Sequence, residues 1–471
     1  MLIPTGLRGT FRRPGSAPVL KAGAKVAEHR LENGMRVLLA ERHSDPVVAV
    51  VLLYPAGART ETEREAGVSH FLEHMMFKGT RRIGKGEVDR LTTELGGQNN
   101  AFTGYDHTAY WFELAADRWE RALEIEADRM HDLLFDPAEF AAERAVVLEE
   151  LAMGEDEPWR VLGRRVEEVL FPHHPYGRPI IGYPDTLEGL RPEDMRDYYR
   201  RFYHPGNATL VVCGDMNSRA ALAAVRERFA GIPSGVPFVQ ADCFRRALEE
   251  PAGEKRVTTR WDDPAQRLIV AWPTTKVGTA DDDVLDLAMT VLAGGRMSRL
   301  WRRLVLDEGL ATSVSTSNDS RVDAGALWVF AESAQGVPAE ELERVVHEEI
   351  ARLGEKRVER EELERARAIL LAGEAFDGET VTDVAEDLGE WAVDDDWRRA
   401  FDGGVRHAKI TAEELRQTAA RLLRPERRVV GWCHPKEKGE GASRSTPARV
   451  PKKAARRARR KSFAAARRPR R

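Results

Sequence analysis

His70 and His74 stand four residues apart, with Glu73 between them, in the stretch His70-Phe71-Leu72-Glu73-His74. On a helix that spacing turns both imidazoles to one face, where they can bind one metal ion. Glu73, one residue before His74, lies near the same edge and can reach a water held by the ion rather than the ion itself. Zinc lowers the pKa of such a water to about 7, and a neighbouring carboxylate can take its proton and direct the oxygen at a peptide carbonyl. A catalytic zinc keeps three protein ligands and one open position, so the third ligand must come from elsewhere in the chain. With twelve histidines in 471 residues, an HxxEH string arises by chance roughly 0.03 times per chain, which favours the metal site over a helix with two incidental histidines.

Mixed strands and helices must position this motif. Met35 to Glu41 alternates as a strand after the Asn33-Gly34 turn, and Pro46 to Tyr54 reads as a buried strand. A helix is expected from Val68 to Phe77, then strands over Gln98 to Thr103 and Ala109 to Ala116. Asp136-Pro137-Ala138-Glu139 is a helix start, with Asp136 capping, Pro137 in the first turn and Glu139 reaching back; the helix should run to about Met153. Thr209 to Cys213 is a further strand. The second half repeats the theme: the strand Arg267 to Trp272 ends in Pro273 as Val47 to Tyr54 ends in Pro55, and an apolar helix, Val284 to Leu292, follows. Superposing the two prolines puts Ala288, Val291 and Leu292 where His70, Glu73 and His74 stand, so the second half carries no metal site.

These elements define an α+β chain of two homologous domains, each an antiparallel-rich sheet flanked by helices. The boundaries read as a basic leader (1–27), a zinc-binding catalytic domain (28–235), a linker (236–255), a degenerate homologous domain (256–435) and a basic tail (436–471). The leader holds Arg8, Arg12, Arg13, Lys21 and Lys25 with no acidic residue up to position 25. It reads as a plain disordered leader, and the expected location is cytoplasmic; an organelle transit peptide, and hence a matrix location, is the alternative. The net charge of −4 hides an asymmetry: 13 Lys/Arg and no Asp/Glu follow Gly441, leaving 60 basic against 77 acidic residues before them. The tail reads as a solvated segment rather than a nucleic-acid contact. The longest apolar run, Val47 to Tyr54, is strand length and excludes a membrane-spanning helix. Cys213, Cys243 and Cys433 lie far apart and read as free thiols, so the metal site is not built on sulfur.

Three stretches carry a resemblance: HFLEHMMFKGT (His70 to Thr80), GGQNNAFTG (Gly96 to Gly104) and ERAVVLEELAM (Glu143 to Met153), extended by HPYGRPIIG (His174 to Gly182) and FYHPGNATLVVCGD (Phe202 to Asp215). Over about residues 28–435 the chain resembles the inverted-motif zinc peptidases of the pitrilysin and insulin-degrading-enzyme family, in the style of the branch that includes mitochondrial processing peptidase and its bacterial relatives. The resemblance implies one zinc ion held by His70, His74 and Glu150, with Glu73 as the base and Glu143 as a supporting carboxylate. Glu149 stands beside Glu150, but register on ERAVV favours Glu150, seven residues after Glu143 and on the same helix face. It also implies that Asn100 and Ala101 bind substrate backbone as an added strand, and that Phe77 and Phe102 line the pocket beside the scissile bond.

One departure stands out. Relatives that work as single-gene enzymes carry an Arg and a Tyr seven apart in the second half; here Val305 and Thr312 occupy those positions. Arg299, Arg302 and Arg303 are near but out of register and read as an exposed helical face. The expected activity is therefore a zinc-dependent endopeptidase acting on peptides or unfolded segments, paired with a homologous subunit that supplies the Arg and Tyr. A homodimer is the alternative assembly, and a non-catalytic structural or partner subunit of the same family is the alternative function.

Overall fold

The structure, a computed structural model, describes residues 25–236 and 253–436, and these form two sheets. The first comprises β1 (Val26–Arg30), β2 (Arg36–Glu41), β3 (Val47–Tyr54), β4 (Gln98–Thr103), β5 (Thr108–Ala115) and β6 (Thr209–Gly214), in the spatial order β1-β2-β6-β3-β5-β4. The second comprises β7 (Lys255–Trp261), β8 (Arg267–Thr274), β9 (Ala311–Ser320), β10 (Gly325–Ser333) and β11 (Val429–Pro435), ordered β7-β11-β8-β10-β9. Apart from β1, the two orders are the same topology. In each, the first and last strands of the half pair in parallel (β2 with β6, β7 with β11), and every other pairing is antiparallel. The repeat inferred from Pro55 and Pro273 is thus a repeat of strand order.

Val47–Tyr54 is apolar throughout because both its faces are covered. Val48, Val50, Leu52 and Tyr54 face the layer containing α1 (Val68–Met75), and Ala49, Val51 and Leu53 face the opposite side. The helices that cover the second faces are exchanged between halves. α2 (Pro137–Gly154) stays with its own sheet. α3 (Pro158–Leu170), from the first half, lays Leu162 and Val166 on Ile269, Ala271 and Cys433 of the second sheet. α4 (Ala280–Ala293) follows β8 as α1 follows β3, whereas α5 (Val381–Asp394) packs Val381, Val384, Ala385 and Leu388 on the first sheet. The approach of α5 is close: a Cβ on Gly389 would lie 2.3 Å from Leu53 Cδ1, so a larger residue there would force Leu53 to move.

Several expectations shift on inspection. β1 begins at Val26, inside the segment read as leader; it is a half-exposed edge strand without the apolar alternation that marks β3. β8 continues through Pro273 to Thr274, which the ladder tolerates because β11 pairs only as far as Ala271 and loses no bond to the proline. Asp136 caps α2 as expected, its Oδ1 accepting from the Ala138 and Glu139 amides at 2.8 and 3.0 Å, but the Glu139 carboxylate pairs with Lys85 instead of closing a capping box. Cys213 and Cys433 are buried free thiols, while Cys243, the tail and most of the leader and linker lie outside the described residues.

Buried ion pairs join the halves. Asp106 accepts from Arg59 Nε (2.6 Å), Tyr176 Oη (2.7 Å) and the Val322 amide (3.2 Å), and Arg321 pairs with Glu167 and Asp319. His107, at the end of β4–β5, sits 3.3 Å from Asp394 Oδ1 of α5. Burial opposes its charge, but Asp394, Glu390 and Asp106 outweigh it and push the imidazole up to about 9. His407, between Asp286 and Glu374, is raised to about 9 in the same way. Both folded values exceed the ordinary 6.5, so this stabilisation is complete below about pH 6.5 and is lost as pH rises through about 9. For His107 linkage gives on the order of 3 kcal/mol. In urea unfolding, His107→Gln is expected to be destabilised strongly at pH 6 and much less at pH 9.5. A gap between the two proteins that does not change with pH would contradict this pairing.

Candidate metal centre

The helix that carries the two histidines starts at a built junction. Gly67 takes φ 95°, a left-handed conformation, and a Cβ there would lie 2.5 Å from the Ile181 carbonyl oxygen. The buried Glu61 carboxylate accepts from the Gly67 and Ser69 amides, both at 2.8 Å, and so takes the place of a capping residue at the positive end of α1. Burial pushes Glu61 up to about 7 against the pull of those amides. The HPYGRPIIG stretch thereby acquires a structural role: Ile181 and Gly182 press on this junction, while Tyr176 enters the buried ion network.

α1 buries Val68, Phe71, Leu72 and Met75 and leaves His70, Glu73 and His74 half-buried on its other side. α2 is set against it by the Phe71–Phe140 ring contact (4.6 Å between centroids) and presents Phe140, Glu143, Val147 and Glu150 along one stripe. Glu150 Oε2 lies 3.7 Å from His70 Nε2 and 3.6 Å from His74 Nε2. One ligand atom from each of the three residues falls within 4.8 Å of the others. Glu149, the neighbour, is exposed and takes no part in this cluster.

The donor set fits a zinc ion. His74 Nδ1 lies 2.9 Å from Glu143 Oε1, and the assignment with Nδ1–H donating leaves Nε2 as an acceptor. Burial is the main cause that holds His70 down at about 3, so its ring is neutral and also offers a lone pair. Neutral nitrogen acceptors and a carboxylate oxygen therefore converge, an arrangement that only a shared cation or proton makes favourable. Tetrahedral zinc with bonds of about 2.0–2.2 Å places its donors about 3.3–3.6 Å apart, close to the spacing seen. Burial alone would raise Glu143, but Lys78 and His74 together hold it below the usual carboxylate range, so it stays ionised behind His74.

Glu73 lies outside the ligand triad. Its Oε2 accepts from Thr103 Oγ1 at 2.5 Å, which orients the carboxylate, and burial raises its pKa, with the Thr103 bond opposing. Thr103 and Lys78 escaped the sequence reading. The available signals were that Thr103 shares the inward register of β4 with Ala101, and that Lys78 follows His74 by four residues.

Asn100 and Ala101 lie in β4, which pairs with β5 on one side and is the last strand of the sheet on the other. Phe77 packs against the layer below α1, 6.5 Å from the Tyr110 ring, whereas Phe102 packs toward α5, 5.8 Å from the His107 ring. No ring contact joins the two phenylalanines among the described residues. Val305 packs against the second core, and the exposed Thr312 bonds through Oγ1 to Glu332. Of the arginines read as an exposed face, Arg302 is exposed and pairs with Asp307, whereas Arg299 is held on Glu362 and Arg303 on Glu308, Glu348 and Glu349. A second acidic cluster, Asp283, Asp286 and His407, is already neutralised by Arg399 and Arg406 on Asp283 and by the raised His407 imidazole. It reads as an ion network rather than a metal site.

Residues 36–183 match the family described as Insulinase (Peptidase family M16), and residues 189–370 match its companion, the Peptidase M16 inactive domain. Similar chains include the uncharacterized zinc protease YmxG of Bacillus subtilis, 29% identical over 73% of this chain and 82% of that protein. Zinc protease PqqE of Helicobacter pylori is 26% identical over 78% of this chain and 83% of its own length. A crystal structure of a protease from Helicobacter pylori superposes with a TM-score of 0.81, at 23% identity, over 88% of this chain and all of that one. A peptidase M16 inactive domain from Pseudomonas fluorescens gives 0.80 at 18% identity, over 88% of this chain and 98% of its own. The fold is that of a two-domain M16 peptidase, with the metal-ligand cluster in the first half. The chain belongs to the insulinase, or peptidase M16, family.

Proposed function

We propose that this chain is a zinc-dependent endopeptidase that hydrolyses peptides or unfolded protein segments. The observation that carries the reading is the convergence of His70, His74 and Glu150 beside an oriented Glu73. His70 and His74 would hold the ion through Nε2 and Glu150 through its carboxylate. When bound, zinc supplies Lewis acidity that polarises a water and the scissile carbonyl. Glu73 takes the proton of the attacking water and returns it to the leaving amine; its raised pKa suits both transfers. Thr103 keeps that carboxylate aimed, and Glu143 fixes the His74 tautomer, held in turn by Lys78. An extended substrate would add to the outer edge of β4 along Asn100 and Ala101, giving main-chain hydrogen bonds tolerant of sequence. The complete ligand set argues against a purely structural subunit. The test is metal content after purification. Wild type and Glu149→Gln are expected to carry one zinc per chain, and Glu150→Gln to lose most of it, with a loss of affinity of about tenfold or more. Zinc retained by Glu150→Gln and lost from Glu149→Gln would move the ligand by one residue.

A further inference from the structure

We infer that Arg160 forms an anion-binding subsite beside the metal-ligand cluster and selects substrates with an acidic side chain near the scissile bond. The inference rests on the peptidase reading above. Arg160 belongs to the first turn of α3, which is anchored on the second sheet by Leu162 and Val166. From there its guanidinium reaches back to the last turn of α2. A Cβ on Gly154 would lie 2.9, 3.0 and 3.1 Å from Arg160 Nη1, Cζ and Nε, so the absence of a side chain at Gly154 creates the slot that the guanidinium fills. Gly154 follows Glu150 by four residues and so lies on the same helix face, about 6 Å further along.

Two of the neighbouring carboxylates are bonded to other cations. Glu155 is bonded by both Nη atoms of Arg164, and Glu168 pairs with Arg164 and Arg165. Arg160 makes no hydrogen bond or ion pair among the described residues, and it is half-buried. A half-buried guanidinium with free donors, held in a glycine slot, is prepared for a carboxylate, which it binds in a two-pronged fork that lysine cannot reproduce. The slot lies about one helical turn from Glu150, so the acidic side chain it would take falls near the bond that is cut.

The experiment uses the full zinc-loaded chain and matched peptides that carry Glu, Gln or Lys at single positions within two residues of the cleavage site. Wild type is expected to show kcat/KM about 10- to 100-fold higher for the Glu than for the Gln peptide at one such position, as a charged hydrogen bond implies, with the Lys peptide lowest. In Arg160→Gln the Glu/Gln ratio should fall to near one, and Arg160→Lys should restore only part of it. A wild-type ratio near one, or the same ratio in Arg160→Gln, overturns the subsite. Binding of the same peptides to the non-hydrolysing Glu73→Gln chain, with and without Arg160→Gln, gives the ratio independently of turnover. Absence of hydrolysis with the charge preference intact would therefore count against the peptidase reading and not against the subsite.

Discussion

Glu73→Gln is expected to lower kcat by about 10³-fold while leaving zinc content and peptide affinity near wild type. General-base catalysis contributes about 10²–10⁴-fold, and the amide cannot accept the proton of the attacking water. The geometry makes the separation clean. Glu73 is held by Thr103 at 2.5 Å and stands outside the triad of His70, His74 and Glu150, so the substitution changes the base and leaves the ligands in place. Single-turnover hydrolysis and metal analysis on one preparation check both halves of the statement. A variant that keeps most of its turnover removes Glu73 from the role of base.

The chain alone is expected to hydrolyse peptides about 10²–10³-fold more slowly than in complex with a homologous chain that supplies an Arg and a Tyr. That is the usual loss when one donor to the developing oxyanion is missing. Val305 and Thr312 cannot stabilise that charge, and no local arginine replaces them, because Arg299, Arg302 and Arg303 are each held in ion pairs of the second half. A neighbouring gene for a similar chain without HxxEH but with RxxxxxxY would encode the natural candidate. Assaying the purified chain with and without it measures the effect. Full activity as a homo-oligomer would show that groups of this chain suffice.

Much of this centre was legible because its signals are local. The four-residue spacing of His70 and His74 fixes a shared helix face, and the seven-residue spacing of Glu143 and Glu150 returns both to one stripe of α2. The choice of Glu150 over Glu149 came from the resemblance, and the structure places Glu150 beside the histidines and leaves Glu149 exposed. The repeat was legible in two strands ending at prolines, although β8 runs through Pro273 because its other neighbour has already ended. Long-range packing was not legible. Nothing in Val381–Asp394 marks it as a helix that covers the other half's sheet, since its apolar stripe would suit any partner. Thr103 and Lys78 look like ordinary polar residues until the fold brings them to Glu73 and Glu143. Arg299 is misread for the same reason: its partner Glu362 is 63 residues away.

The most direct measurement follows hydrolysis of an unfolded protein substrate by this chain, alone and with a homologous chain that carries the Arg and Tyr, through removal and return of metal. The account predicts cleavage by the zinc-loaded protein, loss on chelation, recovery when one equivalent of zinc is restored, and no recovery in a His74→Ala chain. Cleavage that survives complete removal of zinc, or none by the zinc-loaded protein with that homologous chain present, would contradict it.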